Sequence, residues 1–328
     1  MAILTALRPD EIEQVISTYG LDVAEAKGVL AGSVNTSFQV VDGQGRRFWL
    51  RVYEEQDHRG ASREARLLSR LAAAGVNTPS PLARVEAGPD GRFVATIRDK
   101  PACAFPFIEG IHRCQASVTT DDAALVGASL ARVHRAGQAF TEADALTSSS
   151  RFSIGDIRAR LTSLSGRGLP AELEAARRRL EQQAERLAQV IPKAAPLALI
   201  HGDLFRDNVL FTPDGSVSLL DFESASTGQA AFDLMVTTLS WCFGDDLDRE
   251  LARALFRGYA AIRPLDAAEI GELWDQGRIA CIRFATTRMS DYELRPRDQG
   301  VYKDYRRFLA RLRALDELGS ALPRFLGL

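Results

Sequence analysis

Leu199-Ile200-His201-Gly202-Asp203-Leu204-Phe205-Arg206-Asp207-Asn208-Val209-Leu210-Phe211, followed by Leu219-Leu220-Asp221-Phe222-Glu223, decides how this chain is read. The two apolar runs flank Pro213-Asp214-Gly215-Ser216, turn chemistry that predicts a hairpin. If residues 212 and 217 pair across it, Asn208 and Asp221 become cross-strand partners, with Cβ atoms about 4.5 to 5.5 Å apart on one face. An amide oxygen and a carboxylate then converge on one point. Such a pair suits Mg²⁺, which takes few protein ligands and completes its shell with water and phosphate oxygens. A bulge would shift this register. Asp203, on the loop before the first strand, is the candidate catalytic carboxylate, within reach of a hydroxyl whose proton it would take. His201 is better suited to bracing the loop. Taken singly, each residue has an ordinary alternative as a turn or strand-end hydrogen bonder; Asp203, Asn208 and Asp221 at this joint spacing argue for chemistry.

Outward from this island the chain falls into two unlike halves. A helix is expected from about Pro9 to Tyr19. Residues 28–53 read as strand, turn and strand around Asp42-Gly43-Gln44-Gly45, with Phe48, Leu50 and Val52 alternating with Arg47, Trp49 and Arg51. Residues 61–74 carry Ala65, Leu68 and Leu71 at helical spacing and stop at Gly75. After Pro79-Ser80-Pro81 a further strand pair is expected at 82–85 and 92–97. Helices are expected at 121–137, 153–164, 171–190, 228–243, 247–262, 266–290 and 299–318. The predicted fold class is therefore α+β and bilobal: a small antiparallel sheet lobe at 1–105, a hinge at 106–110, and a mostly helical lobe at 111–328.

The 328 residues are 46% hydrophobic and 26% charged, long enough for two cores. A net charge of −2 gives no field favouring nucleic acid or an anionic membrane, so a diffusible small molecule is the better partner. Cys103, Cys114, Cys242 and Cys281 lack metal or disulfide spacing and read as reduced core thiols. The N-terminus is charged too early for a signal peptide, and no apolar run approaches the ~20 residues of a membrane span, which makes the cytoplasm the expected location.

The island matches the pattern H-x-D-L-x-x-x-N with a later Asp-Phe pair, by which kinases orient an acceptor and hold metal. The resemblance runs over nearly the whole chain. It is carried by Gly32 to Phe38, His201 to Phe211, Asp221-Phe222, Phe232-Asp233-Leu234, Ser240-Trp241-Cys242-Phe243, Arg283 to Arg288 and Lys303-Asp304-Tyr305-Arg306-Arg307. The sequence resembles the aminoglycoside phosphotransferase and choline kinase superfamily, and within it the bacterial homoserine kinases of the non-GHMP type. That resemblance implies a protein-kinase-like fold, ATP and Mg²⁺, and phosphorylation of a hydroxyl on a small molecule. Homoserine is the first candidate; another amino alcohol (choline, ethanolamine or an aminoglycoside) and a silent pseudokinase are the alternatives.

On this reading Asn208 and Asp221 hold Mg²⁺, and Gly32, Ser33 and Asn35 belong to a loop over the phosphates. Arg51 stands where these kinases keep a lysine, with Glu64 as its ion-pair partner; the alternative for Arg51 is a solvent-facing edge position. Phe105 or Phe107 packs against adenine, or both are core. A zwitterionic acceptor needs an anion for its ammonium, for which Asp207 and Glu223 are candidates, and a cation for its carboxylate, for which Arg288 is the candidate. Arg288 has a structural salt bridge as its alternative, and Trp241 either walls the pocket or fills the core. Glu223-Ser224-Ala225-Ser226 departs from the aromatic residues common there in homoserine kinases.

Overall fold

Alternation along the strand Arg47–Val52 sets the architecture of the first half: Phe48, Leu50 and Val52 are buried while Arg47 is exposed and Trp49 and Arg51 are half-buried. The computed structural model describes residues 5–29, 35–88, 91–140, 148–149, 153–190, 197–294 and 302–328. Five antiparallel strands, β1 (Glu25–Val29), β2 (Thr36–Val41), β3 (Arg47–Val52), β4 (Val94–Ile97) and β5 (Lys100–Pro106), lie in the order β1-β2-β3-β5-β4. On one face Phe38, Val40, Leu50 and Ala102 pack with Ile12, Val15 and Ile16 of α1 (Pro9–Ser17). Each large aliphatic side chain buried this way contributes about 1.5–3 kcal/mol. The opposite face packs Val94, Cys103 and Phe105 with Ala65, Leu68 and Leu71 of α2 (His58–Ala73). The same face carries Trp49 paired with Phe105, and Arg51 paired with Ser37 on one side and Cys103 on the other. Period two thus sends Trp49, Arg51 and Phe105 to the side away from α1.

One strand expectation fails. Leu82 and Arg84 donate single backbone bonds to Ala104 and Arg92, but residues 82–85 form no strand, and the partner of β4 is β5. The two strands close through Arg98 and Asp99, both at positive φ (46° and 64°), the signature of a two-residue type I′ hairpin made here without Asn or Gly.

The second half is mainly helical: α3 (Thr120–Gly137), α4 (Ile154–Ser163), α5 (Ala171–Val190), α6 (Ala230–Trp241), α7 (Arg249–Ile262), α8 (Ala267–Arg288), α9 (Arg306–Leu318) and α10 (Leu322–Leu326). Within it lie the short strands β6 (Ser148–Ser149), β7 (Ala198–Ile200), β8 (Val209–Phe211), β9 (Val217–Leu219) and β10 (Ser226–Gly228). Reciprocal capping boxes start three of the helices: Thr119/Asp122, Ser153/Asp156 and Asp266/Glu269. Every residue of α6 is buried, as expected of a helix apolar on all sides that runs through the centre of its lobe. The helix anticipated at 299–318 begins at Arg306 among the described residues. The fold is thus bilobal, a small antiparallel sheet lobe beside a mostly helical one. Among the described residues no helix is long and apolar enough to cross a membrane. Cys103, Cys242 and Cys281 are buried, but Cys114, expected in the core, is exposed.

Candidate active site

The catalytic-type hairpin forms, one residue out of the expected register. Val209 pairs with Leu219, Leu210 with Ser218 and Phe211 with Val217. The loop closes by Thr212 N to Ser216 O and Gly215 N to Thr212 O, both 3.0 Å, with Gly215 at φ +79°. A three-residue loop with glycine in the left-handed position is the bulged hairpin that a four-residue turn reading misses. Asn208 therefore lies opposite Leu220, whose N–H donates to its carbonyl at 2.9 Å, and not opposite Asp221. Asp221 instead adopts φ +60°, breaking the alternation of the strand. Both side chains still line one cavity of about 380 Å³. Asn208 Nδ2 donates to the carbonyl of Asp203 at 2.8 Å, which fixes the amide and leaves Oδ1 as its acceptor.

The loop before the hairpin is held from beneath. Asp233, fully buried on α6, accepts from the backbone N–H of His201 (2.7 Å) and Gly202 (2.8 Å) and from His134 Nε2 (3.0 Å). Burial alone would raise this carboxyl, but the His134 and backbone donors more than offset it and hold it below the ordinary aspartate value. His201 Nε2 donates to Leu220 O at 3.0 Å, its ring 4.5 Å from that of Phe222, while its Nδ1 accepts from Asp203 N at 3.3 Å. Trp241 is fully buried and donates through Nε1 to Leu204 O at 3.1 Å, so it is core and does not wall the cavity. Asp203 is left half-buried and raised above the ordinary aspartate value, chiefly by desolvation; Arg283 opposes this shift and Asp221 adds to it.

The sheet lobe supplies the roof. Arg51 Nη1 meets Glu64 Oε1 at 3.3 Å, and Glu64 is only 5% exposed, so Arg51 is no solvent-facing edge residue. Burial pushes the Glu64 carboxyl up, Arg51 pulls it back, and the nearby Glu223 and Asp221 push further: three carboxylates share one guanidinium. Phe105 is 5% exposed and belongs to the core while also touching the cavity. Phe107 is half-buried, with the Arg47 guanidinium 4.3 Å above its ring and Trp49 6.3 Å away. Trp49, which the sequence placed only as a strand residue, lines the cavity with Arg51, Phe107, Ile108 and Leu210.

The remaining candidates scatter. Gly32 and Ser33 lie outside the described residues. Asn35 donates through Nδ2 to Glu223 across the cleft, and its Oδ1 accepts from Glu54 N at 3.2 Å. Asp207 is exposed at the cavity rim. Arg288 is away from the cavity lining; it donates to Asp304 O at 2.9 Å and lies 4.5 Å over Phe308, and among the described residues it makes no salt bridge of the kind expected as its alternative. Among the described residues no three His, Cys, Asp or Glu side chains gather around a metal position. One carboxylate and one amide oxygen, completed by water and phosphate oxygens, need no such gathering for Mg²⁺, and the donor set fits.

The family model described as the phosphotransferase enzyme family matches residues 25–265. The chain is 33% identical over 302 residues to a homoserine kinase of Rhodopseudomonas palustris (strain TIE-1), covering 89% of this chain and 87% of the relative. It is 31% identical over 336 residues to a homoserine kinase of Methylocella silvestris, covering 98% of each. Among solved structures, a microcompartment-associated aminopropanol kinase superposes with a TM-score of 0.69 at 20% identity, over 97% of this chain and 99% of that one.

Proposed function

The chain belongs to the phosphotransferase enzyme family, as an ATP-dependent kinase of small alcohols, and on that premise we propose that its acceptor is L-homoserine, converted to O-phospho-L-homoserine with Mg²⁺ as the metal. The observation that carries the acceptor is the near full-length similarity to homoserine kinases, since the fold alone is shared with proteins named as kinases of other alcohols. In this reading residues 106–110 are the hinge, and the adenine lies against Trp49, Phe107 and Ile108. Arg51, held by Glu64, faces the phosphates; a guanidinium offers a two-pronged donor where a lysine would offer a point charge. Asn208 and Asp221 would hold Mg²⁺, which would supply positive charge against the negative charge that develops on the transferred group. Asp203 accepts the hydroxyl proton of the acceptor and aims its oxygen in line with the γ-phosphorus. A raised, half-buried carboxylate serves as a better base than a solvated one. Asp233 keeps that loop rigid without touching the substrate.

Two measurements test this. ATP consumption with homoserine, choline, ethanolamine and an aminoglycoside should be fastest with homoserine; a preference for any of the other three ends the acceptor assignment. Asp203→Asn should lower kcat about 10²- to 10⁴-fold while leaving Mg-ADP affinity within about threefold. Near-normal turnover in that variant would remove Asp203 from the mechanism.

A further inference from the structure

One face of α8 links the Asp203 loop to a cationic wall. Arg283 donates through Nη1 to the carbonyl of Gly202, next to Asp203. Phe284 meets Phe205 edge-on at 4.9 Å and stacks on Phe308 at 4.9 Å. Arg288, one helical turn further, lies 4.5 Å over the same Phe308 ring, and Lys303 Nζ lies 6.0 Å from the ring of Tyr292, another turn along. Among the described residues positive charge is unbalanced here. The carboxylates close by have partners of their own: Asp304 pairs with Arg306 at 3.3 Å and Asp291 with Arg160, while Glu293 accepts from the Tyr302 hydroxyl. Lys303, Arg288 and Arg307 pair with no carboxylate among the described residues.

Two other arginines in the neighbourhood have a structural task. Arg311 donates through Nε to Leu239 O at 2.7 Å and Arg206 through Nη1 to Ser240 O, so both cap the carbonyl end of α6. Among the described residues no comparable acceptor explains Lys303. Burial and the neighbouring Arg307 bring the Arg288 guanidinium down to about 10, against the opposing pull of Tyr292, Asp203 and Asp304. Phe205, two residues past Asp203, and Arg288 meet the same Phe308 ring, at 6.2 Å and 4.5 Å, which sets the wall beside the Asp203 loop; the charge of Lys303 acts on the Asp203 carboxyl in the lowering direction.

We propose that Lys303, backed by Arg288, binds the carboxylate of the acceptor and so selects an amino acid over an amino alcohol that lacks one. This inference rests on the reading of the site as an amino-acid kinase. Lys303 is the specificity-determining residue: its ammonium pairs with the carboxylate while the hydroxyl at the other end of the short chain meets Asp203. Arg288, fixed by Phe308 and Asp304 O, holds the wall's shape and adds field. A polycation or a quaternary amine meets repulsion at the same place.

The test compares homoserine with 3-amino-1-propanol, the same molecule without its carboxylate. In Lys303→Met the KM for homoserine should rise about 10- to 100-fold, with kcat/KM for 3-amino-1-propanol within about threefold of wild type. Lys303→Arg should restore most of the homoserine KM. Equal losses for both acceptors, or an unchanged homoserine KM, overturn the inference while leaving the homoserine reading intact. Should Lys303→Met fail to bind Mg-ADP, Lys303→Gln against Lys303→Arg decides: rescue by arginine alone supports the subsite, and equal activity refutes it. If wild type rejects homoserine but takes another hydroxy amino acid with the same Lys303 dependence, the acceptor assignment falls and the subsite stands. A wild-type preference for 3-amino-1-propanol over all carboxylate-bearing acceptors sinks both.

Discussion

At the scale of single residues the candidate site depends on a group that touches no substrate. Asp233 satisfies three donors at once, and asparagine would present its amide N–H₂ to at least one of them. Asp233→Asn should therefore cost about 2–4 kcal/mol, read by urea unfolding at pH 7. The sign of its pH dependence follows from the lowered carboxyl: the stabilisation is complete above the unfolded value of 3.8 and is lost as pH falls through the lower folded value. The gap between wild type and variant should shrink below about pH 4, and a gap constant to pH 2.5 would contradict this account. Asp203, Asn208 and Asp221 were legible in the sequence as residue types at a spacing. Their geometry was not, because the αL conformation of Gly215 adds a bulge and Asp221 leaves strand geometry altogether. Asp233 was visible only as part of a Phe-Asp-Leu run, since its backbone partners lie 31 and 32 residues upstream and His134 lies 99 upstream, and no local rule connects them. For Trp49 the alternation gave the face, and only the fold says that this face is the cleft.

At the scale of elements the amphipathic helices were legible because caps and periodicity agree, as at Thr119 with Asp122 and Asp266 with Glu269. β5 was missed because its run from Pro101 to Phe105 is buried without alternation, and its hairpin turn uses Arg98 and Asp99 instead of the usual Asn-Gly. Helix pairing was equally silent in the sequence. α3 and α7 approach so closely that a Cβ on Gly127 would drive into the carbonyl of Leu255, and one on Gly258 into that of Ala124. Alanine gains about 1 kcal/mol over glycine in an open helix, but overpacking costs about 1–3 kcal/mol and more when the obstacle is backbone. Gly127→Ala should thus destabilise by about 2 kcal/mol or more. Gly271→Ala on α8, where a Cβ meets nothing within 4 Å, should stabilise by about 0.5–1 kcal/mol. Urea melts that moved in the same direction for both would refute the backbone-contact explanation.

At the scale of the whole molecule the two lobes share more than a cleft. One core joins Tyr53, Leu68 and Phe105 of the sheet lobe to Leu130, Leu219 and Trp241 of the helical lobe. Asn77, just past α2, accepts through its carbonyl from Leu219 N at 2.9 Å and donates to Ser216 Oγ at 3.0 Å, tying the sheet lobe to the β8–β9 hairpin. The lobes should therefore unfold together, with calorimetric and van't Hoff enthalpies in agreement; two resolved transitions would count against the shared core. A ligand seated between them then stabilises everything at once. Mg-ADP at a hundred times its Kd should add about 2.7 kcal/mol, which for a chain of this size moves Tm by roughly 4 °C. The metal's part of that shift depends on Asp221 and Asn208 facing the same cavity. EDTA should reduce the wild-type shift to that of ADP alone, and Asp221→Ala should show the smaller shift whether Mg²⁺ is present or not. A wild-type shift indifferent to EDTA would exclude metal-assisted nucleotide binding, and a variant shift still enlarged by Mg²⁺ would place the metal on other residues.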